Sequence, residues 1–157
     1  MIQDSQSSRA SYIEDFLQRG TGGGRSITNH KRMMVRADGN GKEALTDYLI
    51  REEFDGYAFA EIRLHTGRTH QIRVHMAKIR LPVACDAVYG REQRIFPSDL
   101  TRRSKEKGEE PIIARQALHS WRICIEHPRT SKPLEFEAPP PDDMTDLLEA
   151  LRHYRSL

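Results

Sequence analysis

The most informative segment of this chain reads Thr66-Gly67-Arg68-Thr69-His70-Gln71-Ile72-Arg73-Val74-His75. It joins two hydrophobic patterns, because apolar residues alternate with polar ones before it and recur at helical spacing within and after it. Thr66 and Gly67 break the first pattern, and Thr69 stands where a helix cap is expected. The segment therefore predicts a strand, a tight turn and a helix in direct succession.

The strand is predicted from the residues that follow Gly56, which alternate with a period of two. One of the two alternating sets is apolar throughout and consists of Ala58, Ala60, Ile62 and Leu64. Successive side chains of a strand point to opposite faces, so this pattern is typical of a strand with one buried face.

The helix is predicted from Ile72, Met76 and Ile79, which share one face at spacings of four and three, and Pro82 marks its end. A second face of the same helix collects His70, Arg73, Ala77 and Arg80, with Arg68 close by at the end of the strand. The unit thus presents a compact basic surface. The alternative interpretation is a helix start with solvated arginines and no further role.

The segment at residues 66–75, followed by Asp86-Ala87-Val88-Tyr89-Gly90, resembles the signature of RluA-type RNA pseudouridine synthases. Further matching pieces occur in the same order: Lys31-Arg32-Met33, Lys42-Glu43-Ala44, Arg115-Gln116-Ala117-Leu118-His119, His127-Pro128 and Phe136-Glu137-Ala138-Pro139. The similarity covers roughly residues 30–157. It implies an α+β fold with a mixed, largely antiparallel sheet and flanking helices, equivalent to the C-terminal half of the family's catalytic domain.

The resemblance also implies an isomerase that acts on ribosomal or transfer RNA. Family members carry the catalytic aspartate in a His-Arg-Leu-Asp element, which does not occur in this sequence. We therefore expect a chain that corresponds to the back half of an enzyme and is inactive by itself. Arg73 matches the arginine that pairs with that aspartate, where an opposite charge keeps the carboxylate ionised and a guanidinium fork orients it.

The residues implied to bind RNA lie around the predicted helix start, where backbone amides add donors for phosphate, and further along the helix at its end. They are Arg68, Thr69, His70 and Arg80. The resemblance implies no organic cofactor. No metal is expected either, because His70 and His75 are five residues apart, which does not suit a zinc pair on a helix. Structural or solvated roles are expected for His65, His75, His119 and His127.

Asp86 is an aspartate inside a motif and could be mistaken for the nucleophile. It matches the family's Gly-Asp-x-x-Tyr-Gly turn, and an aspartate in a loop commonly accepts hydrogen bonds from nearby backbone amides, so we expect a structural role. Cys85 stands where that pattern has its first glycine, and we expect it to alter only the local turn.

The remainder of the chain shows its organisation by composition and turn signals. We expect a weakly structured N-terminal segment at residues 1–30 and a partial synthase-like domain at residues 31–157. Within the domain, residues 38–41 predict a turn and residues 44–50 a strand. Residues 91–110 are dense in both charge signs and predict a charged surface loop or mobile insertion.

The C-terminal third predicts a β-hairpin and a final helix. The hairpin strands are expected at residues 121–126 and 134–138. Asp142 and Asp143 open the helix, which we expect to pack on the sheet through an apolar stripe made of Met144, Leu147, Leu148, Leu151 and Tyr154.

Composition limits the classes of protein to consider. Hydrophobic residues make up 37% of the chain and charged residues 31%, which is typical of one wet globular domain. The net charge of +2 does not by itself indicate nucleic acid. No apolar run approaches the roughly 20 residues of a membrane span, so we expect a cytoplasmic protein without a membrane partner. Cys85 and Cys124 lack a disulfide or metal spacing and are expected to be free thiols.

Three hypotheses for function remain open on sequence alone. The chain derives from a working pseudouridine synthase, or it is an RNA-binding module without catalysis, or it is a globular domain that binds protein partners. If the strands of the front half are absent, a sheet edge is left exposed. We therefore expect self-association or pairing with the missing N-terminal half.

Overall fold

The computed structural model of the chain describes residues 10–19, 33–36 and 42–157. Its largest sheet has four strands, which are β1 (Ala10–Arg19), β2 (Met33–Arg36), β3 (Lys42–Phe54) and β4 (Tyr57–Leu64). Their order across the sheet is β2-β1-β3-β4, and each neighbouring pair is antiparallel. The strand predicted before the Thr66-Gly67 break is confirmed as β4, and the one predicted at residues 44–50 lies within β3.

β3 and β4 form a hairpin through a two-residue turn at Asp55 and Gly56. Gly56 has a φ of +86°, a backbone conformation that glycine adopts without steric cost because it has no Cβ. This turn pairs Phe54 with Tyr57 and so sets the register between β3 and β4. β4 then leads back along β3 to the loop before the helix.

β4 does not have the buried face that its alternation predicted. Ala58 and Leu64 are exposed, Leu64 at 45%, and the other two residues of that face are only half-buried. β4 forms an edge of the sheet, whereas helix α1 (Gln71–Lys78) packs against β1, β2 and β3. Of the side chains on β3 and β4, those of Ala44 and Thr46 on β3 are fully buried. The position of the helix, rather than the alternation itself, decides which strand is covered.

The N-terminal segment contains a strand where the sequence indicated weak structure. β1 lies within residues 1–30 and pairs with β3 from Ala10, opposite Leu49, to Leu17, opposite Lys42. Strand formation here depends on a partner that is distant in sequence, which local composition does not encode. The turn predicted at residues 38–41 lies outside the described residues.

Residues 91–110 differ most from the expected charged surface loop or mobile insertion. The segment contains helix α2 (Pro97–Thr101), and Ile95 and Leu100 within it are almost completely inaccessible to solvent. Ile95 also forms a bridge to Ile113, with its N–H 3.0 Å from the Ile113 oxygen. A few apolar side chains suffice to anchor a segment whose remaining residues are charged. They join a buried cluster that consists of Phe54, Cys85, Ile95, Leu100, Ile113, Leu147 and Leu151.

Carboxylates organise the same segment at the start of α2. The Ser98 backbone N–H and hydroxyl donate to the Glu109 carboxylate at 2.8 and 2.6 Å. The Phe96 N–H donates to Asp99 Oδ2 at 2.8 Å. Acidic residues near a helix N-terminus satisfy amides that have no partner within the helix. Some of the charges in this segment therefore hold its backbone.

The final helix is confirmed as α3 (Asp142–Tyr154). Leu147 and Leu151 are buried, but they pack in the cluster with α2 and with Phe54 at the end of β3, not across a face of the sheet as expected. The last turn is held to β3 by a bridge between Phe54 and Ser156.

The hairpin is confirmed as β5 (Arg122–Glu126) and β6 (Pro133–Glu137), which form a separate two-stranded antiparallel sheet. Every residue of β5 is exposed. Small antiparallel sheets with helices packed beside them confirm the expected α+β class. None of the helices in the described part of the chain has the length and apolar character that crossing a membrane requires.

Candidate functional site

The loop between β4 and α1 is fixed to β3 by the side chain of Gln71, the first residue of α1. Its Oε1 accepts hydrogen bonds from Thr66 Oγ1 at 2.9 Å and from the Arg68 N–H at 3.0 Å. Its Nε2 donates to the Leu45 oxygen at 3.0 Å and to Thr46 Oγ1 at 2.9 Å. The carboxamide thus uses all four of its hydrogen-bonding positions, and Gln71 is only 2% exposed.

The hydrogen bonds of Gln71 belong to a longer buried network. Thr66 Oγ1 also accepts the Leu45 N–H at 3.0 Å, and Thr46 Oγ1 lies 2.9 Å from Nδ1 of His75. Thr46 and His75 are both fully buried. The structural role expected for His75 is confirmed.

The helix begins one residue later than predicted, with His70 and not Thr69 as the N-cap residue. His70 has a φ of 58°, in the left-handed region, and its side chain makes no capping hydrogen bond. Its Nδ1 lies 3.1 Å from the hydroxyl of Tyr89, and the two rings meet edge to face with centroids 5.7 Å apart. Thr69 is exposed. The cap position is determined by where the chain must turn, which side-chain preference alone does not reveal.

Arg73 forms a bidentate ion pair with Asp86. Its Nε lies 2.6 Å from Asp86 Oδ2 and its Nη2 2.7 Å from Oδ1, and the two side chains are 12% and 0% exposed. The Arg73 guanidinium carbon also lies 5.1 Å from the centroid of the Tyr89 ring. Sequence reasoning assigned Arg73 to an aspartate that the chain lacks and did not connect it with Asp86. The structure therefore shows a different carboxylate in contact with this guanidinium.

The ion pair changes the pKa of both groups. Burial is the largest influence on the Asp86 carboxyl and opposes its ionisation, but hydrogen bonds from Arg73 and from the amides of Val88 and Tyr89 outweigh it, so its pKa is lowered. The hydrogen bond to Asp86 raises the pKa of Arg73 more than burial lowers it. Both groups are therefore charged at neutral pH.

The turn around Asp86 is confirmed as the structural element that sequence predicted. Oδ1 accepts the N–H groups of Val88 at 2.9 Å and Tyr89 at 3.1 Å, and the backbone oxygen accepts the Gly90 N–H at 2.8 Å. A Cβ on Gly90 would lie 2.6 Å from that oxygen, so this close approach requires glycine. Cys85 has a φ of 58°, a conformation that favours the glycine expected there. The effect of the cysteine on the local turn therefore stays a prediction.

The other basic residues do not form one cluster with Arg73. Arg68 is exposed, and its Nε donates to a carbonyl oxygen of β3 at 3.2 Å. Arg80 is exposed beyond the end of α1, and this eight-residue helix, about 12 Å long, separates it from His70. The predicted basic surface is therefore split between the two ends of the helix, with His70, Tyr89 and Arg73 in contact near its start.

Sequence reasoning missed the roles of Tyr89 and Gln71. Tyr89 contacts both His70 and Arg73, and the only signal for it was its place in the element at residues 86–90. Gln71 lies in the quoted signature, but a buried amide is recognisable only from its partners.

Three other histidines make structural contacts, as expected. His65 Nε2 lies 2.6 Å from Asp47 Oδ2, His119 Nε2 lies 2.9 Å from a backbone oxygen, and His127 Nδ1 accepts two backbone N–H groups in the hairpin turn. Within residues 42–157 and the two described strands before them, no three His, Cys, Asp or Glu side chains are grouped so that they could hold a metal ion.

Comparison with known proteins gives consistent similarities. The profile of the family described as RNA pseudouridylate synthase matches residues 4–78. The chain is 43% identical over 122 residues to ribosomal large subunit pseudouridine synthase D of Vibrio cholerae, which covers 78% of this chain and 37% of that protein. It is 40% identical over 129 residues to the enzyme of the same name from Neisseria meningitidis, covering 82% of this chain and 33% of that one.

A solved structure is similar over nearly the whole chain. Human RNA pseudouridylate synthase domain containing 1 superposes with a TM-score of 0.59 and 25% identity, over 97% of this chain and 61% of the human one. The chain spans little more than a third of the length of the curated relatives that it matches.

Proposed function

Because the chain belongs to the RNA pseudouridylate synthase family, we propose that it takes part in converting uridine to pseudouridine in ribosomal or transfer RNA. The reaction breaks the C–N glycosidic bond and joins the sugar to a carbon of the same base. That carbon loses a proton and the freed nitrogen gains one, so the isomerisation needs no cofactor. The names of the relatives favour ribosomal RNA. Such a substrate would place the protein in the cytoplasm.

The position of Arg73 carries this proposal. Asp86 uses its Nε and Nη2, while the side chain remains 12% exposed. A guanidinium donates from three nitrogens in a rigid plane, so Nη1 can bind a second carboxylate while Asp86 holds the fork in place. The His-Arg-Leu-Asp element does not occur in the chain. We therefore propose that the second carboxylate, the catalytic one, comes from another segment or chain.

The same proposal gives the exposed residues near α1 a role in binding RNA. Arg68, Thr69 and His70 lie together in the loop before the helix, and the first turn of α1 has no acidic residue. Basic side chains and free amides at a helix start suit phosphate oxygens. Arg80, at the other end of the helix, would bind a different phosphate of the same strand.

The test is a pseudouridine assay on bulk ribosomal and transfer RNA. The chain is assayed alone and again with the part of the Vibrio cholerae relative that the chain does not match, with Arg73→Lys as the matched variant. We expect activity only in the second assay, and its loss in Arg73→Lys, because lysine keeps the charge but lacks the fork. Activity from the chain alone would contradict the proposal that the catalytic carboxylate lies elsewhere.

A non-catalytic RNA-binding role is the second candidate. It is favoured by the Asp86 carboxylate that already occupies the Arg73 fork. RNA binding without turnover, even when the other half is supplied, would support this role. If Arg68→Ala and Arg73→Ala leave RNA affinity unchanged, both RNA roles are wrong, and a domain that binds protein partners remains.

We also propose that the β5–β6 hairpin pairs with a second copy of the chain. Ile123 lies opposite Phe136 and the two are 52% and 53% exposed, so one face of the hairpin is apolar and open. Among the described residues, β5 and β6 pair only with each other, so each has one open edge, and two copies related by a two-fold axis would join the same edge of each hairpin. Sedimentation over a series of concentrations tests this, and a strictly monomeric species would contradict it. If the chain sediments as a complex with the other half of the enzyme, and not with a second copy, pairing with that half replaces self-association.

A further inference from the structure

We infer that Gln71 is a positioning residue for RNA binding, which sets the location of Arg68 through the backbone N–H of that residue. This inference rests on the proposed RNA-binding function and adds a residue that carries no charge and has almost no contact with solvent. Gln71 is 2% exposed, so it does not bind RNA itself. Its effect on RNA would pass entirely through the loop that it holds.

Gln71 connects the loop to the sheet through the two sides of one carboxamide. The oxygen side accepts from the loop, at Thr66 Oγ1 and the Arg68 N–H. The nitrogen side donates to β3, at the Leu45 oxygen and Thr46 Oγ1. No hydrophobic side chain of similar shape could hold both, because each contact needs a donor on one side and an acceptor on the other.

The hydrogen bonds around Gln71 run in one direction. The Leu45 N–H donates to Thr66 Oγ1, which donates to Gln71 Oε1, while Gln71 Nε2 donates to Thr46 Oγ1. Thr46 in turn contacts His75 inside the helix. Hydrogen bonds that run in one direction reinforce one another in a buried site. The loop is therefore tied both to β3 and to the body of α1.

These hydrogen bonds also restrain Arg68. Its backbone is fixed at the N–H by Gln71, and its side chain is directed over β3 by the contact of Nε with the Glu43 oxygen at 3.2 Å. The guanidinium is otherwise exposed, so the backbone restraint and this one side-chain contact together limit where its charge can lie. A charge restrained in place binds a phosphate at a lower entropic cost than one on a mobile loop.

The experiment measures affinity for a labelled transcript of large-subunit ribosomal RNA at several salt concentrations. Each phosphate contact made by a basic side chain contributes about 0.7 to the slope of log affinity against log salt for a single strand. We expect Gln71→Met to lower the slope by the amount that Arg68→Ala does, although it removes no charge. The double variant should resemble Arg68→Ala alone. A folded Gln71→Met variant with the wild-type slope would overturn the inference.

Val74→Ala is the matched control, because Val74 is also buried on α1 but packs in a different cluster, with Ala44 and Tyr89. It should reduce stability while leaving the salt slope at its wild-type value. A lower slope in Val74→Ala as well would mean that general destabilisation, not positioning, causes the effect.

Amide hydrogen exchange without RNA separates this inference from the proposed function. The Arg68 N–H should be protected in the wild type and in Val74→Ala, and should lose protection in Gln71→Met. Retained protection in Gln71→Met would overturn the inference. If the wild-type chain fails to bind RNA, the proposed function is wrong, whereas the exchange result still decides whether Gln71 positions Arg68.

Discussion

Asp86 and Arg73 are buried together although either charge alone would be costly to remove from water. The Asp86 side chain is fully buried and accepts four hydrogen bonds, two from the guanidinium and two from backbone amides. Such complete pairing is the condition under which a buried carboxylate stays ionised. One aspartate thus fixes the turn at residues 86–90 and the orientation of the arginine proposed for catalysis.

Asp86→Asn should destabilise the chain by about 3 kcal/mol at neutral pH, because it leaves the largely buried Arg73 charge without its partner. The folded pKa of Asp86 lies below its unfolded value. Its stabilisation is therefore fully present above the unfolded pKa of about 3.9 and is lost as the pH falls through the folded pKa. Urea midpoints of the wild type should fall as the pH is lowered from neutral to acid. The midpoints of Asp86→Asn should fall less, because this variant has no Asp86 carboxylate to protonate.

Glu52→Gln is the control for this measurement, since Glu52 pairs with Arg152 at the surface. Its midpoint should stay close to the wild-type value at neutral pH, because solvent screens exposed pairs. If the urea midpoints of the wild type and of Asp86→Asn fall by the same amount in acid, the role given to the buried pair is wrong.

Cys85 combines a buried side chain with a left-handed backbone. Cys85→Ala removes the sulfur but keeps the backbone strain, whereas Cys85→Gly removes both. We expect the glycine variant to be about 1 kcal/mol more stable than the alanine variant, because a Cβ is unfavourable at this φ. Chemical denaturation of the two variants measures the difference, and a more stable alanine variant would contradict the strain.

At the scale of elements, α2 and the bridge between Ile95 and Ile113 convert a charged segment into part of the core. Ile95 and Ile113 pair through their backbones, and Leu100 fills the space between them and α3. The Glu109 carboxylate satisfies amide and hydroxyl donors at the start of α2. This element therefore supports the end of β3 and the Cys85 turn rather than extending into solvent.

Leu100→Ala should lower the free energy of unfolding by about 3 kcal/mol, since it removes a fully buried side chain and leaves a cavity. Arg103→Ala, three residues later and exposed, is the control and should have little effect. Calorimetric or denaturant unfolding measures both. If Leu100→Ala matches the control, residues 91–110 form the mobile surface loop that the charge pattern indicated.

At the scale of the whole molecule, the described residues form two buried clusters, and the β5–β6 hairpin buries little of its own surface. One cluster lies under α1 and the other joins α2, α3 and the Phe54 end of β3. The hairpin instead exposes Trp121, Ile123, Ile125 and Phe136. An apolar sheet face with open edges is a surface for association.

Ile123→Lys should therefore weaken self-association, because it places a charge in the centre of the apolar face. Cys124→Lys is the matched control, since the neighbouring residue points to the opposite face of the same strand. Sedimentation velocity over a series of concentrations should show a shift toward monomer only for Ile123→Lys. Equal shifts in both variants would place the contact elsewhere.

The amino-acid sequence by itself determined the local elements and the family. The alternation after Gly56, the break at Thr66-Gly67 and the helical spacing after it are contained within a short window, and they predicted β4 and α1, although the helix begins one residue later than expected. The hairpin and α3 were predicted for the same reason. The signature at residues 66–75 identified the family because it is long and specific, without any knowledge of contacts.

The tertiary structure alone decided which of these elements are covered and which side chains meet. β1 forms because β3 lies beside it, and the apolar face of β4 stays open because α1 covers the other strands. Arg73 meets Asp86 because the turn at residues 86–90 folds back onto α1. Burial and this ion pair depend on groups that are distant in the chain, and their energies arise only when folding brings those groups together.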